Sequence, residues 1–257
     1  MALLVTNDDG ISAPGIAALA GALADAGHDL VVAAPLVDMS GCGAAIGQVH
    51  LDNHIDVRPA IIAGYPDVRA FGVDGPPALA VMTAHLGGFG EPPELVVSGI
   101  NPGPNTGRST LHSGTVGAAL TAANFGMSGL AVSIDVGAEI HWATATTLAR
   151  SALRWLLEAP VGTVLNLNVP NCALSEVRGV RWAALAPFGS VRSAVVESDD
   201  GRLQMELRDI DEELPTDSDT ALVAAGYAAI TSVVGIRPAE RVPVAEIIEH
   251  DALRRIA

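Results

Sequence analysis

The 257-residue chain contains no lysine, so all 14 of its permanently cationic side chains are arginines. That absence removes the phosphate-binding lysine of a Walker-type loop and every Schiff-base mechanism, since both need a primary amine. Cysteine is scarce as well. Cys42 and Cys172 are too few and too far apart for a disulfide framework or a zinc site, and both are read as reduced bystanders. Aromatic residues make up 4% of a chain that is 49% hydrophobic, so Ala, Val, Leu and Ile must build the core. No apolar run is long enough to span a bilayer, and the N-terminus lacks the basic stretch of a signal peptide. The expectation is a soluble cytoplasmic protein without a membrane partner. Positive charge is short overall: 29 acidic residues give a formal net charge of −15, which opposes binding to a nucleic acid polymer. A small anion remains compatible, because a bound cation can make one site positive on an acidic protein.

What is present is a regular alternation of apolar strands and helical stretches. Strands are expected at 3–5, 30–34, 67–73, 94–98, 130–134 and 163–168, and helices at 14–27, 77–86, 113–125 and 141–157. Residues 35–47 read as a glycine-rich loop. This rhythm predicts an α/β fold with a mostly parallel, Rossmann-like sheet and helices on both faces. From residue 176 the pattern changes, and VRGVRWAAL and GRLQMELRDI read as strands of an extended hairpin. Residues 216–234 return to a short helix and a strand, and 244–256 to a final helix. The expected division is a catalytic core over 1–175, a hairpin arm over 176–215 and a segment over 216–257 that returns to the core and the oligomer interface. An arm that leaves a compact domain tends to pack on a neighbouring subunit, so a homodimer or homotetramer is expected.

The opening strand runs directly into Asp8 and Asp9. Adjacent carboxylates repel, and each favours protonation of the other unless a cation lies between them. Three polar, glycine-rich segments follow strands: NDDG at 7–10, DMSGCG at 38–43 and SGINPGPNTG at 98–107. In any one of them these residue types would be ordinary turn formers. Three at strand ends favour a ligand site, because parallel strands bring their carboxyl ends to one edge. Together they offer Asp8, Asp9, Ser40, Asn101 and Asn105. Two carboxylates with neutral oxygens suit Mg²⁺, Mn²⁺ or Ca²⁺ and do not suit zinc. Ser113-Gly114-Thr115 begins a helix, where backbone N–H groups attract anions; simple N-capping by Ser113 is compatible with that role. A cation site facing an anion site is the layout of metal-assisted phosphoryl hydrolysis. His112 is a candidate general acid, although a histidine at a loop end is more often merely exposed. GCGAAIG at 41–47 has the wrong context for a dinucleotide-binding turn, and no nucleophile–base pairing supports a serine-hydrolase triad.

TNDDGISAPGI, the SG after the second strand, VVSGINPGPN, SGTVGAAL, LNLNVP and TDSDTALVAAGYAAIT together resemble the SurE survival-protein family. The segments occur in family order and cover most of the chain. The resemblance implies a metal-dependent phosphatase, hydrolysing nucleoside 5′- or 3′-monophosphates, with one divalent ion per subunit (Mg²⁺ or Mn²⁺, with Ca²⁺ a further candidate). It also implies an α/β core and a C-terminal arm exchanged within a dimer or tetramer. Asp8, Asp9, Ser40 and Asn101 match the metal ligands, and Asn105, Ser113, Gly114 and Thr115 the phosphate side. The chemistry is thereby expected from Asp8, Asp9, Asn105 and His112, with Ser40 and Arg108 also near the phosphate. The sequence departs from the family in three loops. LVDMSG stands where DRNRSG is usual, GRSTLHSGTV where GDDVxYSGTV is usual, and GPPALAV where GTPxDCV is usual. Arg108 is then a replacement phosphate clamp, and His112 a donor to the leaving oxygen. A non-nucleotide phosphate ester and a metal-binding oligomer without turnover are the alternatives.

Overall fold

A computed structural model of the protein describes residues 2–47, 54–187, 191–197, 203–209 and 213–237. Its strands are β1 (Leu3–Thr6), β2 (Leu30–Pro35), β3 (Val57–Ile62), β4 (Tyr65–Val73), β5 (Leu95–Pro102), β6 (Ser128–Ile134), β7 (Val164–Val169), β8 (Val180–Trp182), β9 (Val191–Glu197), β10 (Leu203–Asp209) and β11 (Ala228–Ser232). The helices are α1 (Pro14–Asp25), α2 (Pro77–His85), α3 (Gly114–Asn124), α4 (Trp142–Leu156) and α5 (Asp219–Ala224). Nine strands form one sheet in the order β3-β4-β2-β1-β5-β6-β7-β11-β8. From β4 through β7 every pairing is parallel. Antiparallel pairs occur at β3–β4 and β7–β11.

Leu3, Leu4 and Val5 are fully buried, as a central strand covered on both faces requires. Alternation sends them to different cores. Leu3 and Val5 pack with Ile16, Leu19 and Leu23 of α1 and with Leu153 and Leu156 of α4. Leu4 packs on the other face with Leu79 and Val81 of α2 and Ala118 and Ala122 of α3. Helices therefore cover both faces, and truncating Leu4 to alanine is expected to cost about 2–5 kcal/mol.

The chain leaves β1 for β2 and β4 on one side, then crosses to β5, β6 and β7 on the other. The direction reverses between β1 and β5, which makes the crevice at their carboxyl ends the topological switch point.

Several expectations change at element level. β3 is not among the strands expected from the sequence, because its residues are mostly exposed and include Pro59, features of an edge strand without a clean apolar period. β5 continues to Pro102, where SGIN reads as turn. Its register with β6 gains a residue between Ser98 and Asn101, a bulge that keeps Asn101 paired opposite Ser133. VRGVRWAAL is not a hairpin strand: only Val180–Trp182 is extended, and it joins the main sheet parallel to β11. Such a short, exposed segment has no strand signal of its own; its pairing partner decides it. The hairpin is β9 with β10, an antiparallel pair forming a separate two-stranded sheet. The expected helix at 244–256 lies outside the described residues. Among the described residues no helix is long and apolar enough to cross a membrane.

Candidate active site

Asp8 and Asp9 follow β1 directly at the switch point. Asn7 shapes the turn that holds them: it is buried, and its side-chain amide donates to the Gly10 carbonyl at 3.1 Å. The loop after β2 is drawn alongside, because the Met39 N–H donates to the Asp8 carbonyl at 2.8 Å. β5 delivers Asn101 from the other side. The three polar segments expected to converge meet here, joined by backbone and side-chain bonds between residues far apart in the chain.

Asp8 is 3% exposed and lies against the start of α3. Gly114 N–H donates to its Oδ2 at 3.1 Å, and the Thr115 hydroxyl donates to its Oδ1 at 2.5 Å. Thr115 Oγ1 also lies 3.5 Å from Asn101 Oδ1, which places Asn101 beside the Asp8 carboxylate. The anion met by this helix N-terminus is thus the protein's own carboxylate. Ser113 caps the helix, its hydroxyl accepting from Val116 N–H at 3.1 Å. Gly114 permits the approach: a Cβ there would lie 2.7 Å from both Asp8 Cβ and Cys42 Sγ. Gly117 does the same one turn later, where a Cβ would sit 2.3 Å from the Gly43 carbonyl oxygen.

Asp9 has a different environment. Burial first, then the negative charges of Asp8 and Asp38, push its carboxyl up to about 7. Its Oδ2 is buried and has no hydrogen-bond partner. A half-buried carboxylate beside two others, with one oxygen unpartnered, is costly unless positive charge offsets it. Ser40 is exposed and bonds Asp38, donating from its hydroxyl at 2.6 Å and from its N–H at 2.8 Å. Those bonds hold the Asp38 carboxyl below its ordinary value. The Ser40 oxygen keeps its lone pairs for another partner. Asp8, Asp9, Asn101 and Ser40 thus form an all-oxygen donor set that fits a hard divalent cation. Among the described residues no cluster of three His, Cys, Asp or Glu side chains offers an alternative. Cys42 lies nearby, and burial and the Asp8 charge raise its thiol to about 11, which keeps it a thiol in the metal-free protein.

Asn105 is fixed by residues that sequence reasoning gave no role. Its N–H donates to Asn168 Oδ1 at 2.8 Å, and its side-chain amide donates to Ser133 Oγ at 2.8 Å. Its carbonyl accepts from Asn166 Nδ2 at 2.8 Å and from Asn168 Nδ2 at 3.1 Å. Asn166 and Asn168 are fully buried on β7, two residues apart and so on one face. Two asparagines on one face of an otherwise apolar strand were the signal: buried amides demand partners. After Asn105 comes a 3-10 turn, Gly107–His112, that carries Arg108 and His112; both are exposed. The His112 carbonyl accepts from Gly43 N–H at 3.0 Å, tying this turn to the loop after β2.

Fold and site together define a doubly wound α/β protein with a cluster of oxygen-bearing side chains at the switch point, beside a helix N-terminus. The chain belongs to the SurE family: the family model described as "Survival protein SurE" matches residues 3–189. It is 37% identical over 245 residues to the 5'-nucleotidase SurE of Carboxydothermus hydrogenoformans, covering 91% of this chain and 90% of that protein. It is 35% identical over 240 residues to the 5'/3'-nucleotidase SurE of Edwardsiella ictaluri, covering 90% and 89%. The crystal structure of the SurE protein from Aquifex aeolicus superposes with a TM-score of 0.79 at 26% identity, covering 97% of this chain and 99% of that one.

Proposed function

We infer that the protein is a phosphoric monoester hydrolase that converts nucleoside monophosphates to nucleoside and phosphate with the help of a divalent cation. Membership of the SurE family and relatives named as nucleotidases over nine-tenths of the chain support the activity. The observation that carries the cation is the buried, unpartnered Asp9 Oδ2, on a carboxyl that feels the charges of Asp8 and Asp38. Asp8, Asp9, Asn101 and Ser40 would hold it, Mg²⁺ or Mn²⁺ by the hardness of the donors. When bound, the ion supplies positive charge against phosphoryl oxygens and acidifies water for attack on phosphorus.

The chain's own residues do the rest. Asp8 is held in one orientation by Gly114 N–H and the Thr115 hydroxyl. Asn105, clamped by Asn166, Asn168 and Ser133, forms a rigid wall on the phosphate side, together with the Ser113–Thr115 turn. Arg108 steers and clamps the anionic ester, and His112 holds the proton that the leaving oxygen takes. Two free thiols, Cys42 and Cys172, suit a reducing cytoplasm. The β9–β10 hairpin is the arm by which subunits join into a homodimer or homotetramer, so the arm is confined to the part of 176–215 that follows β8.

The test is phosphate release from a panel of nucleoside and sugar monophosphates by EDTA-stripped protein, with Mg²⁺, Mn²⁺ or Ca²⁺ added back singly. Release from nucleoside monophosphates only with added metal is expected. Metal-dependent release from another ester alone would transfer the assignment to that ester. Bound metal without any release would end the enzymatic reading.

A further inference from the structure

Outside the carboxylate site, one buried ionisable group has no place in the chemistry above. Asp219, the first residue of α5, is fully buried. Its carboxylate collects three backbone donors from three parts of the chain. Gly107 N–H donates to Oδ2 at 2.9 Å, across 112 residues of sequence. Ala186 N–H and Thr220 N–H donate to Oδ1 at 2.9 Å and 2.8 Å. A second tie runs alongside, with the Thr220 hydroxyl donating to Thr106 Oγ1 at 2.9 Å. The 184–186 segment is laced to α5 from both sides as well: Ala184 N–H donates to the Asp217 carbonyl, and Asp219 N–H to the Ala184 carbonyl.

Placement gives these bonds their meaning. Gly107 opens the 3-10 turn that carries Arg108 and His112 and ends at the Ser113 cap, two residues after Asn105. Ala186 stands at the root of the β9–β10 hairpin, which begins at Val191. One carboxylate thus fastens the Asn105–His112 turn to the base of the arm. A buried carboxylate is costly unless its lone pairs are filled, and here each oxygen takes at least one short N–H bond.

We propose that Asp219 is a positioning residue, which sets the Asn105–His112 turn against the phosphate of the substrate and makes that register depend on the seating of the hairpin root at Ala184–Ala186. The proposal rests on the reading of this turn as the phosphate side of the site. An error of about 1 Å in positioning a reacting group costs on the order of 100-fold in rate, so loss of this anchor would reach the chemistry without touching it.

Asp219→Asn is the test. Its amide keeps the volume but turns one acceptor oxygen into a donor, which must face Gly107 N–H or the Ala186–Thr220 pair. The measurements, on metal-loaded protein, are steady-state hydrolysis of a nucleoside monophosphate, inhibition by inorganic phosphate, and metal affinity by calorimetry. Folded D219N is expected to lose on the order of 10- to 100-fold in kcat/KM, with weaker phosphate inhibition and unchanged metal affinity. Wild-type kinetics in folded D219N would overturn the proposal. So would a lower kcat with KM and phosphate inhibition unchanged, which is the pattern of a smaller active fraction. If D219N does not fold, Thr106→Val decides: a rise in KM and in the phosphate inhibition constant supports the anchor, and wild-type values refute it. A wild type that hydrolyses no monophosphate would instead overturn the functional reading. Calorimetric binding of inorganic phosphate, and its loss in D219N, would then still decide the positioning role.

Discussion

Asp9 titrates at about 7 in the metal-free protein, because burial and the Asp8 and Asp38 charges disfavour its ionised form. Cation binding requires the carboxylate, so metal and proton compete for one group. With that carboxyl at about 7, roughly nine-tenths of sites carry the proton at pH 6 and roughly one-tenth at pH 8. Binding Mg²⁺ or Mn²⁺ should therefore release about 0.9 proton per site at pH 6 and about 0.1 at pH 8, with affinity about tenfold weaker at the lower pH. Calorimetric titration in two buffers of different ionisation enthalpy, at each pH, reads both quantities. Asp9→Asn should abolish the pH-dependent release and weaken binding. The same proton sets the stability of the metal-free fold. The folded chain holds it up to about 7 and the unfolded chain only to an ordinary carboxyl value of 3.8, so its contribution is complete below 3.8 and is lost as pH rises through 7. Saturating metal should remove that loss. Equal affinity at pH 6 and pH 8 without proton release would refute this account of the paired aspartates.

Thr115→Val removes a hydroxyl bonded to the buried Asp8 carboxylate; a loss of about 1.5–3 kcal/mol in denaturant unfolding and a metal affinity reduced about tenfold or more are expected. Gly117→Ala would set a methyl group 2.3 Å from the Gly43 carbonyl, so α3 and the loop after β2 must part, at about 1–3 kcal/mol in thermal unfolding. Asn168→Ala strips bonds from both the N–H and the carbonyl of Asn105, and kcat/KM should fall about 10- to 100-fold while metal affinity holds. Arg108→Ala should raise KM for the ester with little change in stability, because the residue is exposed; unchanged kcat/KM would end its role as a clamp.

The parts legible before the structure were those with dense local signals. Leu3–Val5 and Leu30–Ala34 are apolar on both faces, as strands of a covered parallel sheet are. The NDDG and SGIN segments stood out because polar residues interrupt such strands at their carboxyl ends. What escaped lacked local pattern. β3 and β8 are exposed edge segments defined by their neighbours, and β5 runs on through glycine and asparagine because β6 supplies its partners. The roles of Thr115 and Gly114 also differ from the reading of an open anion site, because Asp8 takes both donors. No local pattern reports that a side chain 106 residues away fills a helix N-terminus.

By itself, the sequence determined the class of fold and the chemistry of the donors. Periodicity and residue type are local properties, and they commit a segment to a strand end or an oxygen ligand before any contact forms. Only the tertiary structure decided which of those donors are free. It spends Gly114 and Thr115 on Asp8, leaves Asp9 with an empty oxygen, and binds Asn105 and Gly107 to Asn166, Asn168 and Asp219. Availability for a ligand is what remains after long-range hydrogen bonds have been satisfied, and those bonds exist only once distant strands lie side by side.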